Sequence, residues 1–243
     1  MNNKSYNVNK INNYTYKLNI NSDIYDDIQY RNILYKSVLN FVSHGFYSDS
    51  DHTRDNLYIY FTCENLKSFQ KYMEENENIL TYEETIKIIH SLSIQINYLL
   101  DNNYGFYGID KEDIIVINNK YFIIVCPDKL FQIDENKNES EDKNLIIYKS
   151  INIPFFHNPE IKNIYELKIK NKNKKYPSFT TPALINYKCI YYSIGILIIY
   201  CLFGLENINN IEEDLEIIHS TKIYFFLQRC FNENISDRYL LLI

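Results

Sequence analysis

One segment of this chain, residues 104–128, constrains its fold more than any other part of the sequence. Two short runs rich in β-branched and aromatic residues, 114–117 and 121–125, are separated by the triplet N-N-K at 118–120. Asparagine tolerates the left-handed backbone conformation that tight hairpin turns require. The pattern therefore predicts a β-hairpin with a polar turn.

A helix is expected before the hairpin. Thr81 is followed at the third residue by Glu84, which is the pattern of an N-terminal capping box. Apolar residues then recur with helical spacing and predict one apolar face, formed by Ile86, Ile89, Ile96 and Leu99, with Leu92 close by. The loop between this helix and the hairpin holds two of the chain's five glycines, Gly105 and Gly108.

This loop resembles the catalytic loop of a protein kinase. Kinases have the motif H-R-D-[LI]-K-x-x-N here, and residues 106–113, F-Y-G-I-D-K-E-D, align with it without a gap. Gly108 then stands at the catalytic Asp, Asp110 at the phosphate-contacting Lys, and Asp113 at the metal-binding Asn. The resemblance implies a kinase-like fold in which the residues that carry the chemistry are replaced.

The metal-binding loop has the same kind of replacement. Kinase spacing through the hairpin puts the D-F-G motif on C-P-D at 126–128, so Cys126 replaces the magnesium-binding Asp. A slip of one or two residues would bring Asp128 into that role instead. Asp113 and Asp128 could together hold a cation, but two well-separated surface carboxylates are the expected arrangement.

These replacements oppose phosphoryl transfer, which depends on positioned groups and neutralised charge. Gly108 has no carboxylate to accept the hydroxyl proton, and Asp110 puts a negative charge beside the position of the γ-phosphate. The sequence has no glycine before Gly45, so no G-x-G-x-x-G phosphate loop precedes that residue. We therefore expect no phosphotransferase activity and no cofactor, ATP with Mg²⁺ included.

Other parts of the chain resemble the kinase N-lobe. Residues 56–66 resemble its last strand and the hinge, and residues 26–40 predict its helix. Lys17, in the run Y-T-Y-K-L, loosely resembles the strand lysine of the V-A-I-K motif. The helix glutamate that pairs with this lysine in kinases is replaced near Tyr30.

The C-terminal half resembles the kinase C-lobe. Residues 154–160 resemble the segment that ends in A-P-E, and residues 227–238 resemble the L-x-x-C-L…D-P-x-x-R ending. The final Arg of that ending pairs with the Glu of A-P-E in kinases. The resemblance therefore implies an ion pair between Glu160 and Arg238.

The fold expected from this resemblance is α+β, protein kinase-like and bilobal. A single domain over 1–243 would comprise a reduced N-lobe, about 1–63, and a mostly helical C-lobe, 64–243. At least one strand of the five-stranded N-lobe sheet is expected to be missing, together with the phosphate loop.

Composition indicates the cellular location of the protein and the class of partner that it binds. A net charge of −6 argues against a nucleic-acid partner. Five cysteines without a C-x-x-C motif indicate reduced thiols in an intracellular, cytoplasmic protein. Abundant Asn, Ile, Lys and Tyr are typical of an AT-rich genome, as in some large DNA viruses or protists. A viral source would place the protein in the host cytoplasm or the virion.

Three segments have two interpretations each. Residues 189–205 carry no charge, and a buried C-lobe helix is favoured over a membrane span, so no transmembrane segment is expected. The lysine-rich insert 162–175 is expected to be solvated or disordered rather than a docking strip for an acidic partner, anionic lipid or RNA. The charged loop 134–143 is expected to be disordered rather than phosphorylated or ordered by a partner.

The favoured function is that of a pseudokinase, which acts as a scaffold or allosteric module for a protein partner. One alternative is an atypical, weakly active Ser/Thr-type kinase or a nucleotide-binding protein that uses Lys17, Asp113 and Asp128. Another is a membrane-associated or virion structural protein that uses residues 189–205 or the lysine-rich insert.

Overall fold

The computed structural model describes residues 6–20, 28–40, 47–53, 56–134, 143–148, 151–171, 183–204 and 215–240, and its architecture is mixed α+β. Its contacts divide the chain into two compact units. The first unit comprises residues 1–102 and 111–130, and the second comprises 103–110 and 131–243. The lobe boundary expected near residue 63 falls inside the first unit, so the division into two kinase lobes stays a prediction.

The first unit contains an antiparallel sheet of four strands with the order β1-β2-β4-β3. Its elements are β1 (Tyr6–Lys10), β2 (Thr15–Ile20), α1 (Ile28–Leu39), β3 (Tyr47–Thr53) and β4 (Asn56–Thr62). Leu18, Ile20 and Ile59 of the sheet and Leu34 of α1 are fully buried. The N–H of Ile20 donates to the Tyr35 hydroxyl oxygen at 2.9 Å, which links the sheet to the helix predicted over 26–40.

The rest of the first unit is built around the predicted hairpin. In chain order it contains β5 (Leu66–Ser68), α2 (Phe69–Glu75) and α3 (Tyr82–Asp101), and after β6 (Tyr104–Phe106) of the second unit it continues with β7 (Ile114–Ile117) and β8 (Tyr121–Ile124). The hairpin β7–β8 is confirmed. Asn118 and Asn119 have φ values of 54° and 53°, which is the conformation of a type I′ turn.

Side chains of α3 and of the turn fix the hairpin in place. The predicted capping box is confirmed, since Thr81 and Glu84 each accept from the other's backbone N–H. The Gln95 side chain bonds both backbone groups of Ile124, each at 2.8 Å, and so satisfies this residue at the outer edge of β8. The Asn118 carboxamide oxygen accepts the N–H of Glu64 at 2.9 Å. The hairpin is thus hydrogen-bonded to α3 through Ile124 and to the residues before β5 through Asn118.

The second unit is mainly helical. Its elements are β6, the last two residues of β9 (Leu130–Gln132), β10 (Asn144–Ile147), α4 (Pro159–Asn171), β11 (Ala183–Asn186), α5 (Cys189–Phe203) and α6 (Lys222–Cys230). β6 pairs with β9, and β10 pairs with β11. Gly195 lets α5 pack closely against Phe231, because a Cβ atom at this position would lie 2.7 Å from Cε1 of that ring.

The uncharged segment forms a buried helix, as predicted. Most residues of α5 are buried, and Gly204, with φ of 67°, ends the helix in the left-handed conformation. No helix in the described part of the chain is both long and apolar enough to cross a bilayer. All five cysteines are buried as free thiols: Cys63, Cys126, Cys189, Cys201 and Cys230.

The lysine-rich insert is partly helical. Its first residues continue α4, where Lys162, Asn163 and Tyr165 are exposed, in agreement with a solvated segment. Residues 172–175 of the insert lie outside the described residues, as do residues 135–142 of the charged loop.

Candidate functional site

The position aligned with the catalytic Asp is closed by a proline. Gly108 follows β6, and the next residue, Ile109, forms an isolated antiparallel bridge with Phe156. This bridge holds the chain of Pro154 against Gly108. A Cβ atom on Gly108 would lie 3.2 Å from Cβ of Pro154 and would overlap its Cγ. No carboxylate fits at this position without moving the proline.

Asp110 holds the same segment from the other side of the bridge. Its side chain is half-buried, and its Oδ1 accepts the backbone N–H of Phe155. The charge that the alignment placed beside a γ-phosphate therefore binds a loop of the protein itself.

Asn158 links this loop to the buried helix, and the sequence interpretation missed it. Its amide donates to the Tyr107 carbonyl at 2.8 Å and to Ser193 Oγ at 3.1 Å. Its Oδ1 accepts the N–H of Ile161 at 2.9 Å, so Asn158 also caps α4. Asn followed by Pro159 is a recognisable helix start, which would have predicted the cap but not the link to Tyr107.

The predicted ion pair between Glu160 and Arg238 is present. Arg238 Nη2 lies 3.0 Å from Glu160 Oε1, and Nη1 donates to Oε2 at 3.1 Å, which makes the pair bidentate. Arg238 is only 2% exposed, and its Nε donates to the Asn232 carbonyl at 2.8 Å. A planar guanidinium is suited to this geometry, because it satisfies a carboxylate and a carbonyl at once.

Asp113 has a lysine as its counter-ion, so the expectation of a surface carboxylate is wrong for this residue. Asp113 is 5% exposed and Lys129 is 7% exposed, and Lys129 Nζ donates to Asp113 Oδ2. The physical reason is that Asp113 leads directly into the buried strand β7, where a charged group needs a partner. Asp128, by contrast, is exposed.

Tyr6 lies near this ion pair. Burial raises the pKa of its hydroxyl to about 12, and the nearby charges of Asp113, Cys126 and Glu112 act in the same direction. Cys126, aligned with the magnesium-binding Asp, is itself buried. Within the ranges that the structure describes, no three His, Cys, Asp or Glu side chains are grouped in a way that could hold a metal ion.

Lys17 lies apart from these residues. Tyr16, Leu18 and Ile20 are buried on one face of β2, and Lys17 is on the opposite face by strand alternation. Its ammonium lies 4.0 Å from the centroid of the Tyr58 ring. The structure therefore does not bring Lys17 together with Asp113 or Asp128.

A cavity of about 430 Å³ within the first unit was not foreseen from the sequence. It is lined by residues of β1 and β5, together with Tyr16 of β2 and Ile115 of β7. Two lysines line it, Lys10 and Lys67, and Lys67 is also paired with Glu75. No sequence signal predicted it, because its walls come from strands of two different sheets.

No model of a known protein family matches this chain, and no curated protein matches it either. The resemblance to protein kinases therefore rests on the residues and spacings described above.

Proposed function

We propose that this chain is a catalytically inactive, protein kinase-like protein that serves as a scaffold or allosteric module for a protein partner. The observation that carries the proposal is the closure of Gly108 by Pro154. The aligned kinase position must present a carboxylate to the hydroxyl that is phosphorylated. Here that position has no side chain and no room for one.

The pairing of Asp113 with Lys129 supports the same proposal. A carboxylate whose charge is already balanced by a buried ammonium has no need of Mg²⁺ as counter-ion. Phosphoryl transfer requires the metal to bridge the phosphates, so this pairing opposes activity independently of Gly108.

Two further features support the kinase-like part of the proposal. The Glu160–Arg238 ion pair was expected only from the resemblance and is present in the second unit. The described sheet has four strands, and α1 lies between β2 and β3 in chain order. Both features agree with a five-stranded N-lobe sheet that lacks one strand. The buried free thiols agree with the intracellular, cytoplasmic setting proposed for the protein.

The test combines a thermal-shift titration with ATP, with and without Mg²⁺, and a phosphotransfer assay on generic protein substrates. Saturating ligand at a hundredfold excess over Kd stabilises a folded protein by about 2.7 kcal/mol, so binding would be visible. We expect no stabilisation and no transfer of phosphate. A Mg²⁺-dependent shift accompanied by phosphate transfer would overturn the proposal and favour the weakly active kinase.

A restored variant sharpens this test. Gly108→Asp alone should fail to gain activity and should lose stability, because the new side chain overlaps Pro154. The double variant Gly108→Asp, Pro154→Gly removes the overlap and is the matched control. Recovery of stability only in the double variant is expected if the proline closes the position.

A further inference from the structure

The cavity of the first unit runs along the open edges of two sheets. β1 is an outer strand of the four-stranded sheet, and β5 is an outer strand of the sheet β5-β7-β8. The cavity is lined by consecutive residues of each strand, Tyr6 to Val8 in β1 and Leu66 to Ser68 in β5. Successive side chains of a strand point to opposite faces, so consecutive lining residues indicate that the cavity follows the strand edges.

The backbone groups that β1 directs outward can be assigned from its register. The N–H of Ile11 donates to the carbonyl of Thr15 at 2.9 Å, which makes this a hydrogen-bonded pair. Such pairs alternate along an antiparallel ladder, so positions 9 and 7 also bond to β2. The N–H and C=O groups that point away from β2 therefore belong to Tyr6, Val8 and Lys10. Among the described residues no strand pairs with this edge.

The same reasoning applies to β5. The N–H of Asn118 donates to the carbonyl of Asn65 at 3.0 Å, and the register then makes Lys67 and Val116 a hydrogen-bonded pair. Leu66 and Ser68 accordingly direct their backbone groups away from β7. Because β5 spans only Leu66–Ser68 and β1 spans Tyr6–Lys10, β1 offers the longer open edge.

The side chains around the cavity define what it would accept. Val8, Leu66 and Ile115 provide apolar surface, and Lys10 and Lys67 provide positive charge. None of the described residues that line the cavity carries a carboxylate. Lys67 is partly neutralised by Glu75, whereas Lys10 is exposed and has the Tyr16 ring 5.8 Å from its ammonium. In a chain of net charge −6, this cationic and apolar lining favours an acidic occupant.

We propose that the open edge of β1 binds an extended, acidic segment of a partner protein, which adds to the sheet as a further strand. Main-chain hydrogen bonds to Tyr6, Val8 and Lys10 provide the affinity, as in other cases of strand addition. Lys10 selects a carboxylate on the incoming segment. The inference rests on the proposed scaffold function and names the class of partner that it would bind.

The experiment is a selection of random eight-residue peptides displayed on phage, with the full chain as target. The affinity of an enriched peptide is then measured by fluorescence anisotropy. We expect peptides with Asp or Glu at alternating positions. Bound peptide should slow the hydrogen exchange of the Val8 amide, whose N–H points away from β2 and is expected to exchange rapidly without the peptide.

Three variants test whether the peptide binds at the open edge of β1 or at another surface. Val8→Pro removes an outward N–H that β2 does not use, and proline is tolerated at such positions of edge strands, so the fold is expected to persist. Lys10→Glu reverses the selecting charge. Each should weaken the peptide Kd about tenfold or more, the effect of losing one good polar contact. Lys17→Glu, on the opposite face of the sheet, is the matched control and should leave Kd unchanged.

Peptides without acidic bias would overturn the inference, and so would binding that Val8→Pro and Lys10→Glu leave intact or an unchanged Val8 amide. An enriched peptide that ATP displaces would assign the cavity to nucleotide instead. Failure of peptide binding with no phosphate transfer would refute the docking edge alone. Phosphate transfer would refute the proposed function, so the two failures are distinguishable.

Discussion

The ammonium of Lys129 donates a hydrogen bond to the carboxylate of Asp113, and both side chains are almost completely buried. The resemblance to kinases aligns Asp113 with a ligand of magnesium. A side chain sixteen residues further along the chain provides the positive charge instead. Asp113 therefore has a counter-ion within the chain itself.

Removal of this ammonium should destabilise the first unit. Lys129→Met keeps the length and apolar stem of the side chain but leaves the buried Asp113 carboxylate without a counter-ion, which costs about 3–5 kcal/mol. Urea unfolding followed by circular dichroism measures the loss. The double variant Lys129→Met, Asp113→Asn removes both charges and should recover a large part of the stability. Equal stability of Lys129→Met and the wild type would contradict this description of the pair.

A second prediction concerns the bidentate pair of Glu160 and Arg238. Because Arg238 is buried, Arg238→Met should cost about 3–5 kcal/mol, most of it from the carboxylate and carbonyl left without a donor. Glu160→Gln should cost less, since an amide oxygen still accepts one of the two hydrogen bonds. A double-mutant cycle of unfolding free energies measures the coupling. Additive effects would mean that the two side chains contribute independently, contrary to the geometry.

The capping box of α3 should make stability depend on pH. Burial alone would raise the pKa of Glu84, but hydrogen bonds from the Thr81 N–H, the Thr81 hydroxyl and the Tyr72 hydroxyl outweigh it and hold the pKa below the usual 4.5. A depressed folded-state pKa stabilises the protein above the unfolded-state value, and this contribution is lost as pH falls through the folded-state value.

Glu84→Gln should accordingly lower Tm at about pH 7 and lie closer to the wild type at about pH 3. Thermal unfolding at the two pH values measures the difference. Glu83→Gln is the matched control, since Glu83 is exposed in the same turn and takes no part in the box. A gap between Glu84→Gln and the wild type that stays constant with pH would argue against the assigned role of the carboxylate.

The contact of Gly195 with Phe231 predicts the effect of a single methyl group. Gly195→Ala should cost about 1–3 kcal/mol, because the Cβ atom would press on the aromatic ring and on Cys230. Phe231→Leu should relieve the overlap, so the double variant should be more stable than the sum of the two single changes. Chemical unfolding tests both statements, and a stabilising Gly195→Ala would show that α5 has space at this point.

Local chemistry explains which features could be predicted. The turn at Asn118 and Asn119 and the capping box at Thr81 depend on residues close in sequence, and both are observed as predicted. The pairing of Glu160 with Arg238 spans a long sequence separation and was accessible only through the kinase resemblance. The buried, uncharged helix was identified by its composition.

Features that depend on tertiary packing were missed. Nothing in the spacing of Lys129 indicates that its side chain turns toward Asp113. The closeness of Pro154 to Gly108 follows from the bridge between Ile109 and Phe156, which no local pattern predicts. The cavity likewise arises where the edges of two sheets approach each other, and a single sequence gives no register between them.

The five buried thiols can be used to detect local unfolding of the chain. Burial raises the pKa of Cys63 to about 11, and burial also raises the pKa of the three thiols of the second unit. Alkylating reagents attack the exposed thiolate, so each cysteine is expected to react only when its surroundings unfold. Cys63 and Cys126 belong to the first unit and Cys189, Cys201 and Cys230 to the second. The order in which these five sites are labelled would therefore record which unit loses its structure first.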